Sequence, residues 1–337
     1  MIWFAAAVGI TFLIFEHSIP SGALGLTLRT AELAIGIYLL IKGADLLIEG
    51  AVAVAERFGV SKLFIGLSLV AFGTSAPELA VSITAALKGY GGIAISNVVG
   101  SNVANILLCL GLTALFSVVS VGETTLKIEI PFLFLVTLSF SSMLLREGRF
   151  EILWNDGIVL LSFFVVFSYY LFKMAQGDME VMEKVEEIDM KRALLFLGIG
   201  LFGVSVGGDM TVSSVVKIAS QLGLSGSLFA LTVVAVGTSL PELVTSLTAA
   251  LKGHHDLSVG NIVGSNIMNI LVIIGISSIV GKDLDVDVPM YQVDISYLLG
   301  AVIILWLASI KGRIGREWGI TFLALYTTFV SFVVMRG

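Results

Sequence analysis

The sequence predicts an all-α polytopic membrane protein: ten core transmembrane helices built as two inverted five-helix repeats, preceded by an extra N-terminal hydrophobic segment. Three observations predict it. The first is composition. Of 337 residues, 57% are hydrophobic and only 13% charged, with a mean hydropathy of +1.03, whereas a soluble domain carries about 25% charged residues. The second is the length of the apolar runs, which matches the roughly 20 residues a membrane helix needs. The third is an internal duplication whose unit holds an odd number of spans.

Taken in order, residues 1–28 begin with an apolar stretch that ends in Glu16-His17-Ser18-Ile19-Pro20, with no basic residue ahead of it. It reads as a short extra helix or a weak signal peptide. Hydrophobic runs at 29–56, 62–88, 92–119, 127–145 and 151–173 make a first transmembrane repeat, 29–173. An acidic loop, 174–190, carries Asp178, Glu180, Glu183, Glu186, Glu187 and Asp189. Runs at 191–220, 226–252, 256–280, 291–310 and 315–335 make a second repeat, 191–335. Barrel strands are about 10 residues long and alternate in polarity, so a spanning sheet is excluded.

Counted on alternate sides of the ten spans, Lys and Arg divide 11 to 7, with the excess on the side of the acidic loop. That side is predicted cytoplasmic in a multi-pass protein of the cell (plasma) membrane. The composition argues against a soluble enzyme, a secreted disulfide scaffold and a nucleic-acid binder. Cys109, the single cysteine, has no intramolecular partner and sits among apolar neighbours, which suggests plain packing. No cofactor is called for.

The repeat decides the architecture. Residues 71–111 and 235–275 align without a gap at a constant offset of 164, with 23 of 41 positions identical. The same offset pairs Gly36 with Gly200, Gly43 with Gly207, Asp45 with Asp209, Gly59 with Gly223 and Ser61 with Ser225. Two copies of a five-span unit must enter the bilayer from opposite sides. The substrate site of such an inverted repeat lies near the midplane, where the copies meet.

Within these blocks Glu78 and Glu242 stand in apolar surroundings, each directly after a proline. A carboxylate at the bilayer centre costs about 2.5–3.5 kcal/mol on insertion scales, and is a functional hypothesis by default. Pro77 and Pro241 lack an N–H and clash with the carbonyl four residues earlier. The helices are therefore expected to loosen over Gly73-Thr74-Ser75 and Gly237-Thr238-Ser239, freeing carbonyls at Ala71, Thr74, Ala235 and Thr238. Ser75 and Ser239 lie three residues before their glutamates, on one helical face.

Farther on, Asn97, Ser101 and Asn105 recur at i, i+4 and i+8, matched by Asn261, Ser265 and Asn269. That spacing makes one polar stripe per helix, and Gly100 and Gly264 permit close helix approach. Ser101, Asn105, Ser265 and Asn269 read as site residues. For Asn97, Asn102, Asn261 and Asn266 an interhelical hydrogen-bond seam is an equal alternative. Carboxylates, hydroxyls, amides and carbonyls make an all-oxygen donor set, which suits Ca²⁺ and Na⁺ rather than zinc or copper. Two carboxylates are neutralised by one Ca²⁺ or by two Na⁺, and competition for one cluster under alternating access is antiport.

The motifs Gly73-Thr74-Ser75-Ala76-Pro77-Glu78 and Gly237-Thr238-Ser239-Leu240-Pro241-Glu242, followed by Gly100-Ser101-Asn102 and Gly264-Ser265-Asn266, resemble the two alpha-repeats of the cation/calcium exchanger superfamily. Within it, the chain is similar to the compact prokaryotic Na⁺/Ca²⁺ exchangers. The resemblance covers the ten spans. It implies a monomeric secondary antiporter that exchanges several Na⁺ (three in the family) for one Ca²⁺, and it assigns ligands. Glu78 and Glu242, with the Thr74 and Thr238 carbonyls, would hold Ca²⁺. Ser75, Ser101 and the Ala71 carbonyl would hold Na⁺ on one side, and Ser239, Ser265 and the Ala235 carbonyl on the other. Asn105 and Asn269 would complete the middle.

Some relatives, K⁺-dependent ones included, carry an aspartate where this chain has Asn269, and the H⁺/Ca²⁺ branch carries a glutamate near Gly100 or Gly264. Both stand as alternatives within the superfamily, with a passive cation channel as a rival from another class. An intramembrane aspartyl protease built on Asp45 and Asp209 leaves the repeated glutamates unexplained. Asp283-x-Asp285-x-Asp287 alternates like an EF-hand loop but runs into Pro289. His254-His255-Asp256 reads as an exposed loop.

Overall fold

The computed structural model describes residues 23–146, 151–181, 189–221, 237–285 and 291–336. Helix α1 is Ala23–Phe58, and α2 (Lys62–Thr74) is bent by 48° against α3 (Ala76–Leu87). Then come α4 (Gly91–Phe116), α5 (Thr125–Leu144), α6 (Trp154–Val181) and α7 (Met190–Gln221). The second half continues with α8 (Leu240–Leu251), α9 (His255–Gly281), α10 (Tyr291–Ser309) and α11 (Arg316–Arg336). The N-terminal segment 1–22, residues 182–188 of the acidic loop and residues 226–236 of the seventh predicted span lie outside the described residues.

Among the described residues, seven helices are long and apolar enough to cross a membrane, and the bent pair α2–α3 makes an eighth. Two of the ten predicted spans fall outside that group. The span read at 29–56 is helical but carries Arg29, Glu32, Lys42, Asp45, Glu49, Glu56 and Arg57, too many charges for a purely apolar helix. Its 36 residues rise about 54 Å, so the ends of α1 overshoot a hydrocarbon core of about 30 Å. Helix α8 is apolar but has only 12 residues.

Helices α1 and α7 run antiparallel along one another. A Cβ added at Gly43 would lie 2.6 Å from the Val204 amide nitrogen, one at Gly50 2.5 Å from that of Leu197, and one at Gly207 2.5 Å from that of Leu40. Only hydrogen fits at these crossings. Leu40, Ala44, Leu47, Ile48 and Ala51 of α1 and Ala193, Leu197 and Val204 of α7 form a core of their own with parts of α2 and α8. A larger core joins α4, α5, α6, α9, α10 and α11. Gly200→Val should push α1 from α7, because a Cβ there meets the Leu47 backbone nitrogen at 2.4 Å. Overpacking of this kind costs about 1–3 kcal/mol, and a lowered Tm of the purified protein in detergent is the expected result.

The connections repeat the duplication. Strand β1 (Val119–Ser120) pairs antiparallel with β4 (Arg313–Ile314), and β2 (Glu151–Ile152) with β3 (Leu284–Asp285). Each pair joins one half to the other, so the halves are clasped reciprocally.

Candidate cation-binding site

The two proline breaks form as the sequence predicts, but they open a different set of carbonyls. Ser75 has φ −84° and ψ 6°, and Ser239 has φ −90° and ψ 4°, so the helix stops at each serine and restarts one residue later. In the first half the Ser75 N–H still donates to the Ala71 carbonyl at 3.1 Å, and the next rung is the Leu79 N–H to Ser75 at 3.1 Å. The ladder therefore skips Phe72, Gly73 and Thr74. The Thr74 carbonyl is open as expected, whereas that of Ala71 is engaged. Ala235 lies outside the described residues. In the second half the Leu243 N–H donates to the Ser239 carbonyl at 3.0 Å.

Each break sets a glutamate in the first turn of the helix that follows, where unpaired N–H groups favour a negative charge. Glu78 and Glu242 are fully buried. The serines were expected to serve the glutamate of their own helix, three residues on. Instead Ser75 Oγ donates to Glu242 Oε1 across the halves at 3.0 Å. The break at Ser75 removes the helical i, i+3 geometry and turns the hydroxyl toward the opposite repeat.

The α4 and α9 residues are also shared crosswise. Ser101 Oγ lies 3.4 Å from Glu78 Oε1 and 3.4 Å from Thr238 Oγ1. Thr74 Oγ1 is 3.4 Å from Ser265 Oγ, and Ser265 Oγ donates to the Ala71 carbonyl at 3.5 Å. The predicted grouping of Ala71 with Ser101 is thus corrected. Ala71, Thr74, Ser75 and Ser265 gather around Glu242, while Ser101 and Thr238 gather around Glu78. The cause is packing: α2 lies along α9 of the other half, where a Cβ on Gly264 would meet Leu67 at 2.8 Å.

The four undecided asparagines resolve into separate roles. Asn97 Nδ2 donates to Ser82 Oγ at 2.9 Å and to the Glu78 carbonyl at 3.2 Å; Asn261 Nδ2 does the same to Ser246 Oγ at 2.9 Å and the Glu242 carbonyl at 3.4 Å. These two form a seam that pins the backbone of each glutamate, and Asn261 Oδ1 also accepts from Thr74 Oγ1 at 3.0 Å. Asn102 Nδ2 donates to the Asn266 carbonyl at 3.1 Å, and Asn269 Nδ2 to Asn102 Oδ1 at 2.8 Å. Asn266 Nδ2 is spent on the Ile262 carbonyl at 2.7 Å.

Buried oxygens without a hydrogen-bond partner mark what the cluster can do. They include Glu78 Oε2, Glu242 Oε2, Ser239 Oγ and Asn269 Oδ1. Unpaired buried acceptors are costly, and a hard cation with oxygen ligands is the partner that satisfies several at once. Among the described residues no group of three or more His, Cys, Asp or Glu side chains gathers to hold a metal, in keeping with a donor set of two carboxylates and neutral oxygens.

Several features escaped the sequence reading. Asn105 lies in a π-helical segment, Ala104–Cys109, and Asn269 opens another, Asn269–Ile274. Such wide turns often occur at functional sites, and no residue pattern announced them. Cys109 does more than pack, since its thiol donates to the Ser239 carbonyl at 3.6 Å. A cavity of about 380 Å³ lies against the cluster, lined by Pro77, Val81, Asp209, Val212, Gly237 and Thr238.

Other expectations change. Asp283 Oδ1 accepts from the Trp154 N–H at 2.6 Å, a structural role, and Asp287 lies outside the described residues. His254 is half-buried, with Nδ1 3.2 Å from Lys62 Nζ. Burial, with the Lys62 and Lys252 ammoniums nearby, pushes its pKa below the usual imidazole value.

Helices broken at matched positions, two buried carboxylates each bonded to a serine hydroxyl, and a cavity beside them define an integral membrane transporter of cations. The comparisons agree. The model of the sodium/calcium exchanger protein family matches residues 29–173 and 192–335, and the chain belongs to that family, whose members are cation/Ca²⁺ antiporters. It is 38% identical over 299 residues to the putative antiporter CaxA of Alkalimonas amylolytica, covering 85% of this chain and 92% of that one. It is 29% identical over 345 residues to the sodium/calcium exchanger MaX1 of Methanosarcina acetivorans, covering 90% and 98%. Structures of the sodium-calcium exchanger NCX_Mj soaked with Na⁺ and Sr²⁺ match with a TM-score of 0.80 at 33% identity, covering 91% of this chain and 98% of that one.

Proposed function

We propose that the protein is a secondary active antiporter that exchanges three Na⁺ for one Ca²⁺ by alternating access, in ten core helices arranged as two inverted five-helix repeats. The observation that carries this reading is the hydrogen bond from Ser75, at one helix break, to Glu242 after the other. It joins the two breaks into one buried oxygen cluster shared by the halves. The antiparallel course of the equivalent helices α1 and α7 supports the inversion. Glu78 and Glu242, with the Thr74 and Thr238 carbonyls, hold Ca²⁺. Ser75, Ser101, Ser239, Ser265, Asn105, Asn269 and the Ala71 and Ala235 carbonyls complete the Na⁺ positions. The protein works as a monomer in the plasma membrane, exports Ca²⁺, and keeps its acidic loop in the cytoplasm.

Uptake of radiolabelled Ca²⁺ into proteoliposomes, with Na⁺, K⁺ and H⁺ gradients imposed in turn, tests this. A Na⁺ gradient alone should drive flux; flux that needs K⁺ or follows only H⁺ overturns the assignment of the coupling ion. Position 269 bears on the same point. Asn269 Nδ2 donates to Asn102 Oδ1, so Asn269→Asp loses that donor and adds a third negative charge. Tighter cation binding, slower release and a new sensitivity to K⁺ or H⁺ are expected, read as a lower half-saturating Ca²⁺ concentration with a reduced maximal rate.

A further inference from the structure

The equivalent surfaces of the two halves are not packed alike. Helix α1 lies along α8, whereas the matching face of α7 stands off from α3 and leaves the cavity between Asp209 and Val212 on one wall and Pro77 and Val81 on the other. One side of the molecule is closed against the α1/α7 pair and the other is open.

An ion pair sits on the closed side. Lys252, at the end of α8, places Nζ 2.8 Å from Asp45 Oδ1 of α1 and donates to the Asp45 carbonyl at 3.5 Å. Lys42 approaches the other carboxylate oxygen at 3.1 Å. Under the offset of 164 that relates the halves, Asp45 corresponds to Asp209 and Lys252 to Lys88, at the end of α3. All four charged residues are therefore kept in the duplication. Yet Asp209 lines the open cavity, and among the described residues neither it nor Lys88 has a salt bridge.

We propose that Asp45–Lys252 and Asp209–Lys88 are reciprocal latches that position the α1/α7 pair during transport. The first holds the state described here. The second closes when the pair shifts against α3, as Asp45 and Lys252 separate. The inference rests on the alternating-access reading, and an inverted repeat gives it its geometry: the second state is the first with the halves exchanged. The latches differ in one respect. Lys42 corresponds to Val206, so the cation that approaches the second oxygen of Asp45 has no counterpart at that position beside Asp209.

The test uses the full chain in proteoliposomes. Na⁺-driven Ca²⁺ uptake by the wild type is measured first, and its absence overturns the antiport reading independently of the latch. Breaking a partly exposed pair should shift the two-state balance about two- to fivefold. Asp209→Lys and Lys88→Asp are each expected to slow exchange by that factor, and the double variant D209K/K88D to restore it. Cysteines at 209 and 88 should also be bridged by a short bis-methanethiosulfonate under ion gradients that favour the second state, stopping flux until a reductant is added. Wild-type protein, with its native Cys109, is the control. Because bridging can be read by mass spectrometry without transport, it also decides the case in which the charge variants fold poorly. Failure of the 209/88 pair to bridge under every gradient, with no rescue in the double variant, overturns the proposal.

Discussion

Glu78→Gln and Glu242→Gln are each expected to abolish Ca²⁺ transport while leaving the fold intact. Both carboxylates are fully buried and each has one oxygen without a partner. A cation entering the cluster gives up its water, and the recovered energy must come from fixed charge close by. At an effective dielectric of about 20, a unit charge 4 Å from another contributes about 4 kcal/mol, and about twice that toward a divalent ion, so losing one carboxylate should weaken Ca²⁺ binding at least thousandfold. Glutamine keeps the shape and one acceptor oxygen, so the Ser75 and Ser101 hydrogen bonds can persist. Neutralisation also relieves two buried like charges in the ion-free protein. The variants should therefore match or exceed the wild-type Tm in Ca²⁺-free, Na⁺-free detergent, yet lose the rise in Tm that added Ca²⁺ gives the wild type. Uptake near the wild-type rate in either variant would sink the central-site assignment.

What could be read from the chain, and what could not, divides by the range of the interaction. The duplication gave the pairing of Glu78 with Glu242 and of Asn97 with Asn261, because an offset of 164 is visible without coordinates. Proline chemistry, which is local, gave the breaks at Ser75 and Ser239. The partner of each serine was not legible. Helical spacing places Ser75 beside Glu78, but the break that the proline causes cancels that spacing and hands the hydroxyl to Glu242. The same break left Ala71 engaged and opened the carbonyls of Phe72, Gly73 and Thr74. The π segments around Asn105 and Asn269 have no residue signature, since they arise where a helix widens to fit its neighbours. Asp45 and Asp209 were matched in sequence, but which of them is bridged depends on the conformation of the molecule, and sequence symmetry carries no information about that.

The exchange is expected to be electrogenic, and the sign follows from the same cluster. With Glu78 and Glu242 ionised, a core loaded with one Ca²⁺ is neutral, whereas one loaded with three Na⁺ carries a single positive charge. Only the Na⁺-carrying half of the cycle then moves net charge through the membrane field. Moving one charge across the whole field is worth about 2.3 kcal/mol per 100 mV, equivalent to about a fiftyfold change in the Ca²⁺ gradient that can be sustained. An inside-negative potential therefore favours Na⁺ entry and Ca²⁺ export. Proteoliposomes held at fixed Na⁺ and Ca²⁺ gradients, with a K⁺ diffusion potential imposed through valinomycin, provide the measurement. An inside-negative potential should slow Na⁺-driven Ca²⁺ uptake, in which Na⁺ leaves the vesicle, and an inside-positive one should speed it. Flux that ignores the potential in both directions means two Na⁺ per Ca²⁺, or a proton that travels with Ca²⁺ on one of the two glutamates and is released when three Na⁺ bind. Glu78→Gln and Glu242→Gln together separate those outcomes. If one glutamate carries a proton alongside Ca²⁺, its glutamine variant keeps Ca²⁺ binding almost unchanged, whereas a pair ionised in the Ca²⁺-bound state loses it in both variants.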